Sequence, residues 1–174
     1  MNCFPLDYDM DKSVKSHVDS HVVKIILEGV QMLSTANHLY SVAGCYKVAH
    51  AHHPMTKWVA ASQANYDWMR AYVLHLNTEW QYRWKHNTNH KSINAMLSMP
   101  HLNIRFSKNM TPMPACMPDE CLVAPPGSVG VLPVLDYRNY YQTSKQHIAV
   151  WTNRPIPQWY EYTGINTVET RKKK

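Results

Sequence analysis

From Pro54 to about His86 the chain runs without another proline or any glycine, and Trp58, Ser62, Tyr66, Met69, Val73, Leu76, Trp80 and Trp84 recur at helical spacing. A stripe of this kind forms the buried face of one long helix, and a helix of that length needs other helices to cover it. Pro54 suits its first turn, where a missing N–H leaves nothing unpaired. The same period recurs upstream. Asp9 or Asp11 offers an N-cap for a helix to about Tyr40, with Val14, Val18, Val22, Ile25, Ile26, Gly29, Met32 and Leu33 on one face. A shorter helical pattern covers His90 to Met99 and stops at Pro100, and another spans Val134 to Trp151, ahead of Pro155 and Pro157. Between them, seven of the 11 prolines fall from Pro100 to Pro133, which predicts an irregular wrap over helices.

The expected fold is therefore all-α or mainly α. It is a compact single domain of three to four helices over residues 1–164, with a long proline-rich connection and a basic C-terminal tail over 165–174. A length of 174 residues fits one core. A content of 45% hydrophobic and 17% charged residues excludes a disordered chain. No apolar run approaches the roughly 18 residues of a membrane span. Five glycines with no GxGxxG and no GxxxxGK[ST] exclude the dinucleotide fingerprint and the P-loop, so no nucleotide cofactor is expected. Cys3, Cys45, Cys116 and Cys121 include no CxxC, and the first residues lack a signal-peptide pattern. Both point to an intracellular protein with free thiols.

Charge points to an anionic partner. The 18 Lys and Arg against 12 Asp and Glu give +6, but four of the eighteen are Arg171 to Lys174, leaving fourteen against twelve elsewhere. Binding of nucleic acid thus depends on local clusters. His17, His21, Lys24 and Glu28 follow i, i+4, i+7, i+11 spacing and share one face of the first helix, as a phosphate site, an acid–base pair or a plain solvated face would. His50, His52 and His53 precede Pro54, where free helix N–H groups favour an anion. His17, Asp19 and His21 with the same cluster could form a metal site, but HExxH and CxxC are absent and no metal or other cofactor is expected. Asn65 carries an amide edge able to read a base, and Tyr66 or Trp68 a ring able to stack. Tyr137 to Tyr141 with Arg138, Lys145, Arg154, Trp159 and Tyr160 interleave cations with aromatics, a nucleic-acid pattern that a surface helix also shows.

Several stretches together resemble a family of small proteins from phages and large DNA viruses. They are Met1-Asn2 with Phe4 and Leu6-Asp7; His17 to Lys24 with Glu28; Leu33 to Ala36; Tyr46 through His53-Pro54 and Trp58; Ser62, Asn65-Tyr66 and Trp68; Met117 to Glu120; and Tyr137 to Tyr141, Lys145, Trp151, Asn153-Arg154, Pro157 and Trp159-Tyr160. The order of these parts is more distantly similar to the pyrimidine-dimer DNA glycosylase/AP lyase family. There a small helical domain binds DNA, and the N-terminal α-amine attacks the sugar C1′ to give a Schiff base, helped by a glutamate on the first helix.

The resemblance implies a monomeric DNA-processing protein acting on damaged or modified DNA in the cytoplasm of a host cell. It implies that Glu28 is the catalytic glutamate, that His53 stands beside the scissile sugar, and that Glu79 and Arg83 sit on the supporting helix. That family exposes a small penultimate residue by removing Met; Asn2 is bulky, so Met1 stays and its amine becomes the candidate nucleophile. Lys24 is the second candidate, if burial activates it. His21, His50, His52, Asn65, Tyr66, Arg83, Arg138, Lys145, Arg154 and Trp159 are the candidate nucleic-acid contacts. The competing expectations are a non-catalytic nucleic-acid or nucleotide-binding accessory protein on the same scaffold, and a metal-dependent hydrolase built on the histidines.

Overall fold

A computed structural model describes residues 1–105, 107–124 and 130–161. The basic tail over 165–174, expected from the sequence, lies outside the described residues. Among those described there are six α-helices and no strand: α1 (Met10–Lys15), α2 (Asp19–Leu39), α3 (Pro54–Ala61), α4 (Gln63–Trp84), α5 (Lys91–Ser98) and α6 (Val134–Ser144). Short 3-10 turns occupy Asp119–Cys121 and Gln146–Ile148. The mainly α expectation holds, with more and shorter helices than the three or four expected. No helix among the described residues is long and apolar enough to cross a membrane.

The core lies where α2 crosses α4, and α1, α3 and α5 pack around that pair. Gly29 permits the close approach. A Cβ placed there would stand 2.4 Å from Val73 Cγ1 and 3.3 Å from Met69 Sδ.

The first predicted helix is interrupted at Ser16 to Val18, with Val18 extended. Carbonyls freed at the break find partners far along the chain: Trp151 Nε1 donates to Ser16 O at 2.9 Å and Arg83 Nη2 to Lys15 O at 3.0 Å. Side chains 68 and 135 residues downstream thus satisfy a helix end that no local signal marks. The second predicted helix is likewise two. Ser62 is extended, closes α3, and caps α4 by accepting from Asn65 N at 3.1 Å.

The proline-rich connection docks into that second break. Gln63 N donates to Ser107 O, Gln63 Nε2 to Leu102 O, and Gln63 Oε1 accepts from Ile104 N. Its described part is the extended wrap expected. The final helix ends at Ser144, seven residues short of Trp151, and gives way to the 3-10 turn. At the start of α3, His53 Nδ1 accepts from Met55 N at 3.2 Å with Pro54 in the first turn.

Candidate functional site

The N-terminal segment runs against α2 and α6, and its residues are held by polar atoms from both. Asn2 N donates to Glu28 Oε2 at 2.9 Å. The Asn2 side chain accepts from Tyr137 Oη and from Cys3 N, both at 2.8 Å, and donates to Cys116 O at 2.7 Å. Further along, Arg138 donates to Leu6 O at 2.6 Å and to Asp7 Oδ2 at 2.8 Å. Asn2, a bulky residue at the penultimate position, is thus the anchor of the segment.

This anchoring places Met1 N 4.0 Å from Glu28 Oε2, with Lys24 Nζ 3.6 Å from Oε1 on the other side. Glu28 and the Met1 side chain are mostly enclosed, at 16% and 3% exposure, whereas the Lys24 side chain is 67% exposed. The burial that would activate Lys24 is therefore absent, and the Met1 amine belongs to a residue whose side chain is enclosed. A pocket of about 220 Å³ opens over these groups and is also lined by Phe4, His21, Ile25, Tyr140 and Lys145. Lys145 Nζ sits 4.5 Å above the Tyr140 ring, so a cation and an aromatic face stand at the mouth. One small carboxylate-and-amine cavity flanked by two lysines can hold an anionic ligand and move a proton beside it.

Beneath the pocket is a buried polar chain. Tyr141 Oη lies 2.6 Å from His21 Nδ1 and 2.8 Å from His17 Nδ1, and His17 Nε2 lies 2.7 Å from Tyr72 Oη. Tyr72 donates to Phe4 O at 2.9 Å. Phe4 stacks on His21 with centroids 4.5 Å apart and planes 12° from parallel. Burial, then the charges of Lys145, Lys24 and His147, pushes the His21 imidazole down to about 3. Burial, joined by the charges of His21 and Arg83, holds His17 well below its ordinary range as well. Both rings are neutral at physiological pH.

His53 does not line the pocket. It is held below the ordinary histidine range first by burial, then by the Met1 amine and His50, with Glu28 opposing. Those charges reach it, but its Nδ1 is engaged in capping α3. His50 and His52 are exposed.

Other expected contacts are structural. Asn65 is fully buried, with Nδ2 donating to Trp58 O and Thr111 Oγ1 and Oδ1 accepting from Thr111 N, so its amide edge is unavailable to a base. Tyr66 is core and donates to Asn37 Oδ1, and Trp68 stacks on Tyr72. Arg83, 1% exposed, bonds Glu79 and Asp19. Arg154 bonds Glu79 at 2.8 Å and covers Tyr82, away from the pocket. Arg138 is engaged with the N-terminal segment and lies over Trp159 at 5.1 Å. Of the ten candidate nucleic-acid contacts, only His21 and Lys145 line this pocket.

The metal reading loses its ligands. His17 has both ring nitrogens on tyrosines, and Asp19 receives Arg83, Thr152 N and Thr152 Oγ1. No group of three or more His, Cys, Asp or Glu able to hold a metal occurs among the described residues. The four cysteines are unpaired.

What sequence reasoning missed is Asn2 as an anchor, Tyr137 and Cys116 as its partners, and Tyr141 as the link between His17 and His21. The Tyr137-Arg138-Asn139-Tyr140-Tyr141 run was the available signal, because successive residues of one helix turn serve the anchor, the segment and the buried chain. No family model, curated protein or solved structure matches the chain.

Proposed function

We propose that the protein is a DNA-processing enzyme of the amine–carboxylate type, resembling the pyrimidine-dimer glycosylase/AP lyases, with Met1 as nucleophile and Glu28 as its acid–base partner. The observation that supports this reading is the placement of the Met1 amine 4.0 Å from Glu28 in a pocket lined by Lys24 and Lys145.

The chemistry follows from the groups. Glu28 takes the proton from the Met1 ammonium, directly after a small side-chain rotation or through one water. The free amine adds to C1′ of the sugar; the bond from C1′ to the base breaks, and the base leaves with a proton. Ring opening, with Glu28 returning its proton to O4′, leaves a protonated Schiff base between Met1 and C1′. Loss of a C2′ proton then expels the 3′ phosphate by β-elimination. At an abasic site the amine adds to the aldehyde and water leaves instead. Lys24 and Lys145 flank the pocket where phosphates on either side of the reacting sugar would lie. The flipped nucleotide or its partner would meet Tyr140.

Borohydride reduction on duplexes bearing an abasic site or a cyclobutane dimer tests this. A covalent adduct that maps to Met1 by peptide mass spectrometry, and that is lost in Glu28→Gln, is expected. An adduct on Lys24 would reassign the nucleophile. Salt-sensitive binding without any adduct would sink the catalytic reading and favour the non-catalytic accessory protein.

A further inference from the structure

Counting hydrogens along the buried chain leaves one arrangement. Phe4 O has only lone pairs, so Tyr72, 2.9 Å away, gives its single hydrogen to it. Tyr72 Oη is then an acceptor, for Ser13 Oγ at 3.0 Å and for His17 Nε2 at 2.7 Å. Ser13 Oγ accepts from Leu6 N at 2.9 Å, which leaves its own hydrogen for Tyr72. His17 is wholly buried and neutral, so a proton on Nε2 leaves Nδ1 bare, and Nδ1 accepts from Tyr141. Tyr141 has no second hydrogen, so His21 Nδ1 must donate to it across 2.6 Å. The reverse order requires two protons on His17, a cation with no carboxylate in hydrogen-bond contact. His21 is also neutral, and its Nε2 makes no hydrogen bond to any described residue. The ring lines the pocket and Phe4 stacks on it, fixing its plane.

We infer that His17 and Tyr141 lock His21 as the Nδ1–H tautomer, with bare Nε2 presented to the pocket as an acceptor for a hydroxyl of a bound sugar. The lock begins at the Phe4 carbonyl, so docking of the segment that carries the Met1 amine and the protonation pattern of His21 are one linked event. His17 and Tyr141 are positioning residues, acting through His21. The identity of the ligand rests on the DNA reading above; the tautomer does not.

The test uses the full chain labelled with 15N-histidine and two-bond proton–nitrogen correlation spectra at pH 7. Opposite tautomers are expected, with the bare nitrogen at Nδ1 in His17 and at Nε2 in His21. A proton on Nε2 of His21 would overturn the lock. Tyr141→Phe, with its fold checked by circular dichroism, is expected to move the proton of His21 to Nε2 or average it over both nitrogens; a bare Nε2 retained there removes Tyr141 from the mechanism. Should that variant fail to fold, Tyr72→Phe is read in the same way: His17 is expected to lose its single tautomer, and an unchanged spectrum refutes the coupling to Phe4.

The ligand half is tested with a duplex carrying a borohydride-reduced abasic site, which offers sugar hydroxyls and cannot form an imine. A shift of His21 Nε2 larger than with undamaged duplex is expected. No shift at saturation overturns the hydroxyl assignment, and no binding at all removes it together with the DNA reading, while the tautomer result stands.

Discussion

Asn2 N and Glu28 Oε2 are 2.9 Å apart, a bond that spans 26 residues and holds the start of the chain against the middle of α2. The Met1 amine is placed by its neighbour, because Asn2 also bonds α6 through Tyr137 and the proline-rich connection through Cys116.

Glu28→Gln keeps an oxygen able to accept from Asn2 N but loses the proton acceptor. Schiff-base formation is expected to fall by about 10²–10⁴, the range of general acid–base catalysis, with little change in duplex affinity. Single-turnover trapping with parallel anisotropy titrations measures both, and an unchanged trapping rate would show that Glu28 moves no proton.

Asn2→Ala removes three side-chain hydrogen bonds, two of them to distant elements. A loss of about 1–3 kcal/mol in stability is expected, chiefly from the Cys116 carbonyl left partnerless, since the Tyr137 hydroxyl keeps Cys116 N. The Met1 amine should also react faster with an exogenous acylating reagent once it is no longer held against Glu28. Equal labelling of the two proteins would contradict the anchoring role.

Glu79→Gln leaves Arg83, whose side chain is fully enclosed, without its nearest countercharge and frees Arg154. Disruption of a buried ion pair costs about 3–5 kcal/mol. That corresponds to a fall in Tm on the order of 10 °C for a chain of this size. Calorimetry checks the value, and trapping measured well below the lowered Tm should be little changed, since Glu79 lies away from the pocket.

Asn65→Ala distinguishes the structural reading of Asn65 from base recognition. It leaves Trp58 O and Thr111 N without their partner, so about 1–3 kcal/mol of stability should be lost, with duplex affinity unchanged. Weaker binding at unchanged stability would restore Asn65 to the nucleic-acid contacts.

Stability should fall as pH drops below the ordinary histidine range. The depressed imidazoles of His17 and His21 are neutral in the folded state, whereas an unfolded chain takes up protons near pH 6.5, and for His21 the difference persists down to about 3. Between those limits the unfolded state binds more protons, so each such histidine contributes a loss of about 1.4 kcal/mol per pH unit once below 6.5. Urea titrations at pH 7.5 and 5.0 measure the slope, which His21→Gln should reduce; an unchanged slope would place His21 in water.

The helical class was legible because the apolar period along α2 and α4 is long, and Pro54 and Pro100 mark real boundaries. The breaks at Ser16 to Val18 and at Ser62 were hidden, because the first is completed by Trp151 and Arg83 and the second by Gln63 meeting the wrap. Lys24 and Glu28 were legible from their spacing on one helix face, Met1 entered through the family resemblance, and the three come together. Asn65, Tyr66, Arg83 and Arg154 misled for one physical reason. Amide, phenol and guanidinium groups that suit a nucleic acid equally suit backbone and carboxylate groups inside a small helical protein. Composition does not reveal which of the two a side chain meets.

The frame around Asn2 also sets a schedule. Its partners Cys116 and Tyr137 lie 114 and 135 residues downstream. At a synthesis rate of about 5–20 residues per second, Met1 and Glu28 leave the ribosome many seconds before Tyr137 exists. An unfinished chain therefore carries both groups without the Cys116 and Tyr137 contacts that fix Asn2, and the pocket is complete only when Tyr140 and Lys145 arrive.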